Sequence, residues 1–224
     1  MSTRTTDTLQ GFYDAMMTAY GTQEWWPADT PTEVIIGAIL TQNTAWRNVE
    51  RAIENLKQAG ALDWQRLHHM EPETLAELIR PAGTYKVKTR RLKAFAAWFS
   101  NCYDCDLNRM FATPLYTLRE ELLSVSGIGR ETADAILLYA GGLPTFVVDA
   151  YTARILRRHQ LIDGDADYEE IKELFESALP ENVDLFNEFH ALLVQVGKQH
   201  CRPRAKCEGC PLEPFEHEIE MRDG

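Results

Sequence analysis

Apolar residues recur at helical spacing along most of the chain, and no segment convincingly shows the strict alternation of a half-buried strand. Leu9, Phe12 and Met16 predict a first helix over 8–20. Further helices are predicted from Pro31 through Leu40, from near Val49 to near Gly60, and over 63–69, 72–80, 84–101, 150–159, 167–178 and 183–198. The pattern therefore predicts an all-α protein.

The start of the second predicted helix has a recognisable capping pattern. Thr30 is placed to cap the helix, Pro31 suits its first position, and Glu33 completes a capping box. The residues that follow, up to Leu40, are apolar on nearly all sides, so this helix is expected to be central.

The most informative stretch is 122–151, where two helical patterns flank Ser126-Gly127-Ile128-Gly129-Arg130. Glycine reaches backbone conformations barred to other residues, so Gly-x-Gly predicts a tight turn between the helices. Unpaired N–H groups at the start of the second helix would suit a phosphate. Downstream, the apolar run Phe146-Val147-Val148 ends in a lone carboxylate, Asp149.

The 224-residue chain has 45% hydrophobic residues and a net charge of −11, which does not by itself favour binding to DNA phosphates. The basic residues are nevertheless clustered, for example at Lys86, Lys88, Arg90, Arg91 and Lys93. A basic DNA-binding face with an acidic back is one interpretation, and randomly solvated charge is the other. The polar N-terminus and the lack of a long apolar run predict a cytoplasmic protein without a membrane span.

The Gly127-x-Gly129-x-x-x-Ala133 core, the Gly141/Gly142/Pro144 loop and Asp149 resemble the helix-hairpin-helix DNA glycosylases of the endonuclease III superfamily. The resemblance implies two helical lobes: a barrel-like six-helix bundle over 29–140, and a second lobe of 1–28 and 141–224. It also implies a monomer that binds double-stranded DNA containing damaged bases. Ser126, Gly127, Ile128, Gly129 and Arg130 would contact DNA, and Gln42 would fill the gap left by a flipped base.

Asp149 is the expected catalytic residue, because a carboxylate can stabilise positive charge on the sugar or orient the attacking water. Aspartate also caps helices well, and both roles can hold at once. Members that cut the backbone carry a Schiff-base lysine where this chain has Glu131. A carboxylate cannot form that imine, so a glycosylase without lyase activity is expected.

Trp25-Trp26-Pro27 and Trp46, together with Glu131, resemble the base pocket of the 3-methyladenine glycosylases in this superfamily. Indole faces attract a cationic alkylated purine, although any single tryptophan is more often a core residue. The resemblance implies excision of 3-methyladenine, and 7-methylguanine is a second candidate substrate.

Cys201-x5-Cys207-x2-Cys210 resembles the superfamily's C-terminal 4Fe–4S site, with two departures. The first spacer is one residue short, and Glu216 occupies the fourth cysteine position, which leaves His217 as the nearest replacement ligand. A zinc site and a metal-free loop are the alternatives. Cys102 and Cys105 form a separate pair without an assigned role.

Three other functions compete with alkylpurine excision. A glycosylase for T·G or U·G mismatches fits the same scaffold, and a non-catalytic DNA-binding module would explain the hairpin but not Asp149. A metal-dependent nuclease ranks last, because the sequence lacks clustered carboxylates that would hold Mg²⁺.

Overall fold

The structure is a computed structural model that describes residues 3–218, with side chains from residue 5. This part of the chain is helical without a β-strand, which confirms the all-α prediction. Its α-helices are α1 Thr3–Tyr20, α2 Pro31–Leu40, α3 Trp46–Gln58, α4 Trp64–His69, α5 Pro72–Leu78, α6 Tyr85–Tyr103, α7 Leu107–Phe111, α8 Leu115–Ser124, α9 Arg130–Ala135, α10 Ala150–Arg158, α11 Tyr168–Ala178 and α12 Val183–Gln199.

The chain forms two compact units. One unit is Trp26–Leu143 and contains α2 to α9. The other combines the described residues up to Trp25 with those from Pro144 onward, and therefore contains α1 and α10 to α12. Its core is aromatic, and the rings of Phe146 and Phe175 stack with their centroids 3.8 Å apart.

Helix α2 is the central helix of the 26–143 unit, and every residue from Glu33 to Leu40 is buried. The Thr30 hydroxyl accepts the Glu33 N–H at 3.2 Å, as the sequence predicts. The Glu33 carboxylate pairs with Lys57 Nζ at 2.9 Å and accepts the N–H of Asp29, the residue before the N-cap, at 3.4 Å, so the predicted capping box is not formed. The ammonium of Lys57 offers the buried Glu33 carboxylate a stronger partner than a main-chain N–H would.

Two members of the predicted basic cluster on α6 are structural. Lys88 is 1% exposed and its ammonium donates to the Ala82 carbonyl at 2.6 Å, while burial lowers the pKa of Lys88. Lys93 donates to the carbonyls of Leu67, His68 and Met70 at the end of α4. These two lysines therefore stabilise the bundle, and neither the DNA-binding face nor the randomly solvated charge describes their ammonium groups.

The sequence did not predict helix α7, nor the π-helical form of the segment that follows α9. Helix α7 begins after Asp106, whose carboxylate accepts the N–H of Asn108 at 2.9 Å. A π-helical segment, Ile136–Ala140, continues α9. Among the described helices, none combines the length and apolar character that crossing a membrane requires.

Candidate functional site

Asp149 lies where an extended buried segment meets α10. Residues 145–148 have no regular secondary structure and are all buried, and Asp149 is the N-cap of the helix that follows. Its Oδ1 accepts the Thr152 N–H at 2.8 Å and the Thr152 hydroxyl at 2.9 Å. The predicted capping role is therefore present, and it fixes one carboxylate oxygen in place.

The segment that leads to Asp149 is held by two side chains of α11. Glu176 Oε1 accepts the Phe146 N–H at 2.7 Å and the Thr145 hydroxyl at 3.1 Å. The Tyr168 hydroxyl lies 3.4 Å from the Val148 nitrogen. A buried loop needs such partners for its polar groups, and sequence reasoning did not identify these residues.

A second residue that sequence reasoning missed is His190 on α12. Its Nε2 lies 3.9 Å from Asp149 Oδ2, and the residue is 5% exposed. Burial lowers the pKa of His190, and the charge of Lys198 lowers it further, while Asp149 raises it. Burial is the largest effect, so the imidazole is neutral near pH 7.

The predicted hairpin connects α8 to α9. Only one of its two glycines uses a left-handed conformation: Gly127 has φ +90°, whereas Gly129 has φ −97° and caps α9. Ser126 and Arg130 are exposed, but the Ile128 side chain is buried and its N–H donates to the Val125 carbonyl. Ile128 therefore anchors the turn.

Two further contacts hold the hairpin in the 26–143 unit. Gln42 Nε2 donates to Thr132 Oγ1 at 2.8 Å and lies 3.3 Å from the Gly127 carbonyl oxygen. Arg119 on α8 makes a buried two-pronged pair with Asp134 on α9, at 2.7 and 3.0 Å. In this structure Gln42 therefore braces the hairpin.

Trp26 and Trp46 contact each other, with ring centroids 5.0 Å apart in an edge-to-face arrangement. Tyr139, on the π-helical segment, packs against Trp26 at 5.3 Å. Gly37 lies under both tryptophans, and an added Cβ there would be 3.3 Å from Trp26. All three rings are half-buried, so they form a partly accessible aromatic cluster.

The other predicted pocket residues have different surroundings. In its own unit, Trp25 packs edge-to-face against His190 at 6.4 Å, and the Lys198 ammonium lies 5.3 Å from its ring centroid. Pro27 is exposed, and Glu131 is exposed in the first turn of α9. A cation therefore already occupies one face of Trp25.

Three cysteines and His217 line one pocket in the C-terminal loop. His217 Nδ1 lies 2.8 Å from the Phe215 carbonyl, an arrangement that leaves Nε2 available to a metal. Burial raises the pKa of the Cys210 thiol. The donors suit iron or zinc in kind and number, although residues 5–218 contain no group of three arranged as a formed metal site. The three cysteines are Cys201, Cys207 and Cys210.

Two arginines of α10 fix the start of this loop. Arg158 is buried and donates to Cys201 Sγ at 3.2 Å and to the Arg202 and Pro203 carbonyls at 2.7 and 2.8 Å. Arg154 donates to the Cys201 carbonyl at 3.0 Å. The loop conformation is thus supported by the protein's own hydrogen bonds.

Comparison with known proteins identifies the family of the chain. A model of the HhH-GPD superfamily of base excision DNA repair proteins matches residues 36–181. The chain belongs to this superfamily, and it is an enzyme that acts on DNA, of the glycosylase type.

Particular relatives span nearly the whole chain. A Methanocaldococcus jannaschii protein, provisionally named a DNA repair glycosylase, is 47% identical over 205 residues, which cover 91% of this chain and 93% of the relative. The Helicobacter pylori 3-methyladenine DNA glycosylase bound to 1,N6-ethenoadenine is 28% identical with a TM-score of 0.74, covering 87% of this chain and 97% of that one. The structure of an endonuclease III–DNA complex has a TM-score of 0.80 at 22% identity, over 96% of this chain and 95% of that one. It shows that the fold is shared.

Proposed function

We propose that this protein is a monofunctional DNA glycosylase that releases alkylated purines, chiefly 3-methyladenine, from double-stranded DNA. The observation that carries the proposal is the geometry of Asp149. Its side chain is 14% exposed, and its Oδ1 is fixed by two donors from Thr152. Because the position of this carboxylate is set before the substrate binds, little reorganisation is needed when positive charge develops on the sugar.

The chemistry follows from that carboxylate. Cleavage of an N-glycosidic bond builds positive charge on the sugar, and a negative oxygen nearby stabilises it. The same carboxylate can orient the water that attacks the sugar carbon. Because His190 is neutral, it does not cancel the negative charge of Asp149.

The substrate preference rests on the aromatic cluster of Trp26, Trp46 and Tyr139. A flipped base stacks on aromatic rings, and a positively charged methylated purine gains an added attraction to them. Trp25 is the less suitable platform for a cationic base, because the Lys198 ammonium already lies over its ring. The similarity to the Helicobacter pylori 3-methyladenine glycosylase supports the same substrate class.

The lack of lyase activity rests on Glu131. This residue is exposed at the start of α9, and a carboxylate cannot condense with the sugar aldehyde. Nicks should therefore appear only after alkali treatment. For DNA contact we propose the exposed hairpin residues Ser126, Gly127, Gly129 and Arg130, and a structural role for Ile128.

The proposed cofactor is a 4Fe–4S cluster that supplies loop structure when bound, with His217 as the non-cysteine ligand. Iron and sulfide content of the purified protein measures occupancy without reference to activity. Changing His217 to alanine should lower the iron content, while His217→Cys should retain it. Zinc in place of iron would contradict the proposed cluster, and equal iron content in all three proteins would contradict the role of His217 as a ligand.

The deciding experiment follows release of bases from duplex DNA methylated with dimethyl sulfate. Wild-type protein should release 3-methyladenine, and Asp149→Asn should release none while binding undamaged duplex normally. Asparagine caps a helix as well as aspartate, so the variant keeps α10 intact. Activity only on T·G or U·G duplexes would replace the substrate assignment. Binding without any base release would favour the non-catalytic module.

A further inference from the structure

His190 belongs to α12 and faces Asp149, the catalytic candidate. The neighbouring residues on its helix are apolar, and such a histidine is usually a core residue. Here its Nε2 approaches a carboxylate oxygen at 3.9 Å, in a position where both groups are largely shielded from water. The distance is too long for a direct hydrogen bond, and a small side-chain movement would close it.

The two oxygens of Asp149 have different surroundings. Oδ1 is occupied by the N–H and hydroxyl of Thr152, so rotation about the carboxyl bond would break two hydrogen bonds. Oδ2 faces His190. The imidazole therefore lies beside the carboxylate oxygen that the capping interaction leaves available for chemistry.

We infer that His190 is a positioning residue, whose imidazole lies beside Oδ2 of Asp149 and can donate an N–H to that oxygen after a small side-chain movement. This inference rests on the proposed catalytic role of Asp149. A lysine or arginine at the same place would also orient the carboxylate, but it would neutralise the charge that stabilises the sugar cation. A neutral imidazole orients the group without that cost.

Aromatic and charged groups of the same unit surround the imidazole. Trp25 packs edge-to-face on His190, and its other close neighbour is the Lys198 ammonium. The charged groups that influence the imidazole are thus Asp149 on the α10 side and Lys198 on its own helix. Protonation of His190 in acid would pair it with Asp149 and suppress the reaction.

The test compares wild-type protein with His190→Phe, His190→Gln and Asp149→Asn in single-turnover release of bases from dimethyl-sulfate-methylated duplex DNA between pH 5 and 8.5. The phenylalanine variant should react roughly 10²-fold more slowly, because phenylalanine offers no N–H that could orient Oδ2 of Asp149 during the reaction. The glutamine variant keeps an N–H donor and cannot titrate. It should retain most of the rate and lose the decline in acid that wild type shows.

The outcomes distinguish a failure of the proposed function from a failure of the proposed role of His190. If Asp149→Asn is as active as wild type, the proposed function itself fails. If that variant is inactive while His190→Phe matches wild type in rate and pH profile, only the role of His190 fails. Duplex binding and thermal melting of each variant identify a loss that is merely structural, which would lower stability without changing the pH profile.

A second measurement does not depend on catalysis or on the phenylalanine variant folding. Histidine-selective ¹⁵N NMR reports the protonation of the His190 ring in wild-type protein and in Asp149→Asn. Removal of the carboxylate should move the pKa of His190 further down, because Asp149 is the group that raises it. An unchanged titration would overturn the inference.

Discussion

Replacing Gly127 with alanine tests how the hairpin is built. Its φ of +90° is strained for any residue with a Cβ, and an ideal Cβ would lie 2.3 Å from Arg91 Cγ and 2.8 Å from Arg91 Cδ. Strain and displacement of the arginine stem together cost about 2–3 kcal/mol. For a protein of this size, this corresponds to a decrease in Tm of roughly 4–12 °C.

Gly129 provides a matched control two residues away. Its φ is −97° and no atom beyond its chain neighbours lies within 4 Å of an added Cβ. Because Gly129 is the N-cap of α9, where alanine is less favourable than glycine, Gly129→Ala should cost up to about 1 kcal/mol and lower Tm by less than about 4 °C. Alanine at Gly127 should also weaken binding to undamaged duplex, because the turn must move to relieve the overlap.

Differential scanning calorimetry of the two variants, with a fluorescence assay for duplex binding, measures both effects. Equal melting temperatures for the two alanine variants would refute the conclusion that only Gly127 needs a left-handed conformation. A stable Gly127→Ala protein with normal binding would show that the contact with Arg91 is easily relieved.

Three further predictions concern buried polar groups. Arg119→Met removes the guanidinium from the buried Asp134 carboxylate and should lower Tm, by an amount equivalent to about 3–5 kcal/mol. Arg109→Met removes only an exposed ion pair and should not change Tm measurably. Glu176→Leu should speed hydrogen exchange at the amide of residue 146, because that N–H loses its acceptor. His190 has a folded pKa below its unfolded value near 6.5, so its contribution to stability is present above about pH 6.5 and is lost as pH falls through the folded value. Melting of wild type and His190→Gln from pH 7.5 to 5 should show a smaller loss in the variant.

The sequence was sufficient for features that depend on local patterns. Thr30 with Pro31 marks the start of α2, and the Gly-x-Gly turn marks the hairpin, because caps and turns require particular residues at particular positions. The two glycines looked equivalent in sequence, since either could have supplied the left-handed residue. Which one does so depends on how Arg91 and α6 pack against the turn.

Features that depend on tertiary contacts could not be predicted. Lys88 has the sequence context of a solvated charge, and its burial depends on a carbonyl presented by a separate short 3₁₀ turn. Glu176 and His190 are ordinary helix residues until the segment before Asp149 folds against them. The cysteine spacing indicated a metal-ligand pattern. The hydrogen bond from Arg158 to Cys201 in that loop could not be predicted from the sequence.

The buried charges have a consequence for how the protein meets DNA. Among the described residues more cations than anions are buried: Lys88, Arg119, Arg158 and Lys172 against Glu33 and Asp134. The surface is thus more negative than the net charge of −11 suggests. At low ionic strength this negative excess opposes the approach of a duplex, and added salt screens the repulsion. Productive encounters are then restricted to orientations that turn the remaining exposed cations toward the phosphates, so selection of orientation precedes any reading of the bases.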